Sequence, residues 1–233
     1  MAIAFADVTD PTEGIPDDLP LSAVAFAVVD VETTGMSPLR GDRITEFAAV
    51  GVLGERVAPL VHSLVDPGRP IPVRIQVLTG ITDRMVAGAP RFGAIAHRVA
   101  TALAARVFVA HNAAFDWAFV SHELAGAGHA PASRGALCTV RLARRVLPQL
   151  PRRSLDHVTA HYGVRIADRH RAAGDAEATA VVLQHLLSDV SERHGVSTWG
   201  ALQAFLASGT SRARRGRSAL PRAVDVDSFD SLP

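Results

Sequence analysis

Phe26-Ala27-Val28-Val29-Asp30-Val31-Glu32-Thr33-Thr34-Gly35 is the stretch on which the reading of this chain turns. An apolar run from Val24 to Val29 leads into two acids one residue apart, and Gly35 breaks the pattern. A run rich in Val, Ala and Phe, closed by glycine, reads as a buried strand. Side chains alternate between the faces of a strand, so Asp30 and Glu32 point the same way. Two carboxylates held side by side repel each other and lose solvation. A divalent cation between them removes both penalties. On this stretch alone, acids that simply mark the strand's exit into water would look the same.

Working outward, Arg43 to Leu53 is a second β-like segment and Val57 to Asp66 a third, joined by a short Gly54-Glu55 turn and so read as a hairpin. Pro67 to Pro72 is turn-rich, and Leu78 to Asp83 reads as a loop with a helical turn after it. From Pro90 to Ala105, the apolar stripe Phe92, Ile95, Ala96, Val99 and Leu103 has helical spacing. Arg106 to Ala110 is a short strand that runs into His111-Asn112-Ala113-Ala114-Phe115-Asp116. A helix is expected from there, with Asn112 a candidate N-cap and Asp116 on the face of Phe119, Val120 and Leu124. Leu137 to Val140 reads as a strand and is followed by helices to Leu147, from Ser154 to Gly163, from about Gly174 to Glu192, and from Thr198 to Ala207. A hairpin-linked trio of strands, followed by strands alternating with helices, gives an α/β fold: a mixed sheet with helices on its faces.

The 233 residues suit one domain with appendages. Residues 1–20, with acids, prolines and little periodicity, read as a flexible leader, 21–208 as the domain, and 209–233, with its arginines followed by acids, as a disordered tail. A net charge of +1 gives no global basic field to argue for nucleic acid. The single cysteine, Cys138, excludes an internal disulfide and a cysteine-rich metal site. With no signal peptide pattern and only short apolar runs, no membrane association and a cytoplasmic location are expected.

Four acids stand out by position: Asp30 and Glu32 close the first strand, Asp116 follows a buried strand, and Asp175 opens the long helix on its inward face. Four carboxylates converging on one place need cations. Hard, oxygen-preferring ions such as Mg²⁺ or Mn²⁺ suit them. Two such ions about 3.5–4 Å apart form a clamp for in-line phosphodiester hydrolysis. The reaction also needs a base. His170 lies five residues before Asp175 in His170-Arg171-Ala172-Ala173-Gly174-Asp175, where Gly174 allows a tight entry to the helix. A histidine titrates near pH ~6.5, suited to general-base work.

Asp30-Val31-Glu32-Thr33-Thr34-Gly35, His111-Asn112-Ala113-Ala114-Phe115-Asp116 and His170-Arg171-Ala172-Ala173-Gly174-Asp175 resemble, in order, the three exonuclease motifs of the DEDDh superfamily, which includes the proofreading epsilon subunit of bacterial DNA polymerase III, RNase T and oligoribonuclease. Leu78 to Thr82 and Ser154-Leu155-Asp156 resemble connecting segments of the epsilon-like branch. The resemblance implies an RNase H-like mixed five-stranded sheet flanked by helices and removal of nucleotides from 3′ ends with two metal ions. Asp30, Glu32 and Asp175 would hold the catalytic metal. Asp30 would also touch the second ion, which Asp116 would hold, and His170 would be the base. Thr33 and Thr34 would face the terminal nucleotide, with Asn112 and Phe115 as supports. Thr79 stands where many epsilon-like members carry histidine, and the lone tyrosine, Tyr162, is 13 residues before Asp175 and cannot replace His170.

The expected substrate is a single-stranded or frayed 3′ end of DNA. The same chemistry on RNA ends is the alternative, and an inactive nucleic-acid-binding module is a third reading. A DNA polymerase or sliding-clamp partner is left open, since the tail carries no recognisable motif for one.

Overall fold

β1 (Ala25–Thr33) is the middle strand of the sheet in this computed structural model, which describes residues 14–130 and 135–214. It is buried on both faces up to Val29, as its unbroken apolar run demands. β2 (Ile44–Leu53) and β3 (Arg56–Leu64) continue from it as an antiparallel meander. On the other side, β4 (Val107–Ala110) and β5 (Ala136–Cys138) run parallel to β1. The order is β3-β2-β1-β4-β5, a mixed five-stranded sheet.

The helices follow in chain order. α1 (Val73–Thr79) and α2 (Asp83–Val86) are short. α3 (Phe92–Leu103) and α4 (Ala113–Gly126) cover one face of the sheet together with Ala27, Val29 and Val31 of β1. α5 (Thr139–Val146), α6 (Leu155–Tyr162), α7 (Ala172–His194) and α8 (Trp199–Arg214) cover the other, where Phe26 and Val28 point. Asp30 and Glu32 continue the Phe26/Val28 alternation and therefore emerge on the α7 side. A register irregularity between Glu32 and Thr33 ends the regular pairing there, as bulges beside functional sites do.

The structure departs from the sequence expectations in four places. Val73 to Thr79 is a helix, which takes in Leu78 and Thr79 from the expected loop and a stretch before them to which the sequence pattern assigns no element; with only Ile75 and Thr79 buried on it, seven residues carry too little periodicity to be read. Asn112 is not a side-chain N-cap: it takes the left-handed conformation (φ 86°), and its side chain makes no capping bond. The part of the expected leader from residue 14 onward is docked. Ile15 and Leu19 pack on the core, and Trp199 and Gly200 of α8 donate to the Leu19 and Asp17 carbonyls, each at 2.9 Å. α8 continues past the expected boundary at 208. Residues 1–13 and 215–233, which hold the rest of the leader and most of the tail, lie outside the described residues.

Candidate active site

β1 and β4 are parallel, so their carboxyl ends, Asp30 to Thr33 and Ala110 to His111, lie at the same edge of the sheet. The crevice beyond such strand ends is where α/β folds place their chemistry. α7 crosses β1 and β2 with its N-terminus at this edge, bringing in Asp175 from its first turn. Asp30, Glu32 and Asp175 each place a carboxylate oxygen within 4.8 Å of the others. Asp116 enters from α4, buried, with the backbone N–H groups of Val31 and of Asp116 itself favouring its charged form.

The electrostatics are those of an over-crowded acid site. Burial, then the charges of Asp116, Glu32 and Asp175, hold the Asp30 pKa well above the carboxylate range. Burial and the Asp175 charge push Glu32 up to about 9. Burial pushes Asp116 up to about 8 against the pull of the Val31 and Asp116 backbone N–H groups. Asp175 rises to about 6 through burial, with Arg169 pulling it down. One Asp175 oxygen, Oδ1, is buried without a hydrogen-bond partner. Oxygen-only donors, mutual repulsion and an orphaned buried oxygen fit a hard divalent cation.

His170 sits at the rim, half-buried, with φ 62°. Its backbone N–H donates to Asp175 Oδ2 (3.2 Å), and Arg169 Nη1 lies 3.4 Å from its ring Nδ1. Burial and the Arg169 charge hold its pKa below the usual value. The tight turn falls on His170 itself. Gly174 serves another need, because a Cβ there would meet the Asp168 carbonyl oxygen at 2.6 Å. Thr33 and Thr34 are buried: the Thr33 hydroxyl donates to the Gly35 carbonyl (2.6 Å), and the Thr34 Oγ1 accepts from the Arg43 N–H (3.1 Å). Asn112 is exposed, and Phe115 packs partly buried on Phe119, 5.1 Å between centroids.

Sequence reasoning missed three residues that shape this edge. Glu46, fully buried on β2 opposite Glu32, accepts from Arg171 Nε (2.9 Å) and Nη2 (2.8 Å) and from the Ala172 N–H (3.0 Å), and lies 2.8 Å from His62 Nε2. Burial alone would raise its pKa; the bonds from Arg171, His62 and Ala172 outweigh it and hold Glu46 below the usual range. An acid inside Ile44-Thr45-Glu46-Phe47-Ala48, in step with the inward Ala48, was a usable signal. His111 is pushed down to about 4, chiefly by burial, and ties Thr139 Oγ1 (2.9 Å) to the Arg153 carbonyl (2.8 Å). Arg169, which reaches Asp175 and Asp156, left no trace in the sequence pattern.

The fold and this acid cluster define the class: an RNase H-like domain with a four-acid centre at the carboxyl ends of its strands. The exonuclease family profile (RNase_T) matches residues 27–183, and the chain belongs to this family. It is 36% identical over 167 residues to the 3′-5′ exonuclease DinG of Bacillus subtilis, covering 72% of this chain and 18% of that protein. It is 39% identical over 191 residues to a DNA polymerase III subunit epsilon-like protein of Rhodobacter capsulatus, covering 79% of this chain and 27% of that one. The chain thus spans well under a third of these relatives' length. Among solved structures, exonuclease X in complex with 5′ overhanging duplex DNA aligns with a TM-score of 0.59 at 25% identity, over 77% of this chain and 99% of that one.

Proposed function

We propose that this domain is a metal-dependent 3′–5′ exonuclease acting on DNA ends, of the proofreading or repair type. The observation that carries the reading is the convergence of Asp30, Glu32 and Asp175 within 4.8 Å, with Asp175 Oδ1 buried and unpartnered. Asp30, Glu32 and Asp175 would hold one Mg²⁺ or Mn²⁺; Asp30 and Asp116 would hold a second. When bound, such ions neutralise the acids, acidify water and stabilise the leaving oxygen. His170, kept neutral at pH 7 by burial and Arg169, accepts the proton of the attacking water. The hydroxyls of Thr33 and Thr34 are used within their own turn, so those residues would meet the terminal nucleotide as a shaped wall. Phe115 braces α4 behind Asp116, and Asn112 sets the turn into that helix. The names of the relatives, an exonuclease and an epsilon-like polymerase subunit, support DNA as substrate and a polymerase as partner.

The test is digestion of 3′-labelled and 5′-labelled single-stranded DNA and RNA of one sequence, with Mg²⁺ or EDTA. Stepwise loss from the 3′ end of DNA, abolished by EDTA and slower on paired ends, is expected. Faster loss from RNA would move the substrate class, and equal cutting of 3′-blocked DNA would replace the exonuclease reading with an endonuclease.

A further inference from the structure

Arg169 lies in the loop between α6 and α7, and its guanidinium spans two carboxylates. Nε is 2.7 Å from Asp156 Oδ1, Nη2 is 3.3 Å from Asp156 Oδ2, and Nη1 donates to Asp175 Oδ2. The side chain is two-thirds buried at the rim of the acid cluster. The two oxygens of Asp175 are unlike: Oδ1 has no partner, and Oδ2 accepts from the Arg169 guanidinium and the His170 backbone N–H.

We propose that Arg169 is the resident counter-ion of the site: it holds Asp175 in the metal-free protein, competes with the metal for that carboxylate, and is kept at the rim by Asp156 when the carboxylate is given up. This rests on reading the acids as a metal site. A guanidinium beside a dication repels it, and one released from Asp175 still has a bidentate partner in Asp156. The cluster can then stay assembled without metal, while the threshold for loading is set by how strongly Asp156 draws the arginine away.

The experiment is a Mn²⁺ titration of the full chain without nucleic acid at pH 8, reading free Mn²⁺ by electron paramagnetic resonance. Arg169→Gln and Asp156→Asn leave all four proposed ligands intact. Arg169→Gln should bind Mn²⁺ tighter, on the order of tenfold, because a neighbouring positive charge is gone. Asp156→Asn should bind it more weakly, because Arg169 then leans wholly on Asp175. In EDTA, Arg169→Gln should melt below wild type, and Mn²⁺ should give it the larger gain in Tm. Unchanged or weaker binding by Arg169→Gln overturns the proposal, and weakening in both variants shows that Arg169 only shapes the loop. Wild type that binds no Mn²⁺ removes the metal reading and this proposal together; wild type that binds it while Arg169→Gln matches wild type removes this proposal alone.

Discussion

At the scale of single residues, the acid cluster trades stability for chemistry. Asp30 is the most crowded of the acids, facing burial and three other carboxylates. Asp30→Asn removes that repulsion along with a proposed ligand. Its hydrolysis rate should fall by at least about 10³-fold, while its Tm in EDTA at pH 8 should be equal to or above wild type, since an uncharged amide has no such repulsion. A variant that keeps wild-type turnover would end the role given to Asp30. His170→Ala is expected to lose about 10²–10⁴-fold in kcat with Mn²⁺ affinity little changed, because its side chain is not among the converging oxygens. Single-turnover rates beside a Mn²⁺ titration separate the two effects; equal losses in both would make His170 part of the metal site instead.

At the scale of elements, the site depends on how α7 is pinned to the sheet. Glu46 does this from β2, satisfying the Ala172 N–H at the first turn of α7 and the Arg171 guanidinium before it. Those bonds place the helix turn that carries Asp175 and the loop that carries His170. Glu46→Gln can accept at only one oxygen and leaves a guanidinium under-paired. A loss of about 1–3 kcal/mol in urea unfolding is expected, with a fall in kcat larger than any change in KM, because the displaced groups belong to the reacting centre. Unchanged kcat with lowered stability would show that Glu46 serves the fold only. At the same end of β2, Glu123 of α4 does the matching work on the other face, accepting from Arg43 Nε at 2.7 Å and from the Ile44 N–H at 3.5 Å. The strand next to β1 is thus tied to a helix on each face of the sheet.

At the scale of the whole molecule, metal-free stability should depend on pH in a direction set by these acids. Glu32 is raised from 4.5 to about 9, Asp116 from 3.8 to about 8 and Asp175 from 3.8 to about 6. The native state therefore binds more protons than the unfolded chain across that window, and stability falls as pH rises through it. His111 acts lower down: with its pKa lowered from 6.5 to about 4, its contribution is present above pH 6.5 and is lost as pH falls toward 4. The three acids outweigh the single histidine, so in EDTA Tm should decline from pH 6.5 toward pH 9, where His111 no longer titrates, and Mn²⁺ should flatten that decline. A Tm that rises from pH 6.5 to 9 in EDTA would contradict the clustering of the acids. Removing residues 1–20 should lower Tm more than removing 1–13, because Ile15 and Leu19 pack on the core and α8 donates to the Leu19 and Asp17 carbonyls; equal Tm values would show that this docking adds no stability.

What the sequence determined by itself was local. The apolar run ending at Val29 could only be a core strand, the stripe from Phe92 to Leu103 could only be an amphipathic helix, and the spacing of Asp30 and Glu32 put both on one face; each follows from side-chain periodicity and needs no partner in space. The ordered motifs around Asp30, Asp116 and Asp175 made the family legible for the same reason. Tertiary structure alone decided which buried polar groups satisfy one another. Glu46 and Arg171 are 125 residues apart in the chain, and Arg43 and Glu123 are 80 apart; no local pattern links them, because their pairing exists only once β2, α4 and α7 have packed. The same holds for Asn112, whose left-handed turn replaces the cap its residue type suggested, and for Arg169. A loop arginine has no periodicity to read, and its place against Asp175 follows from where α6 and α7 leave Asp156 and the acid cluster.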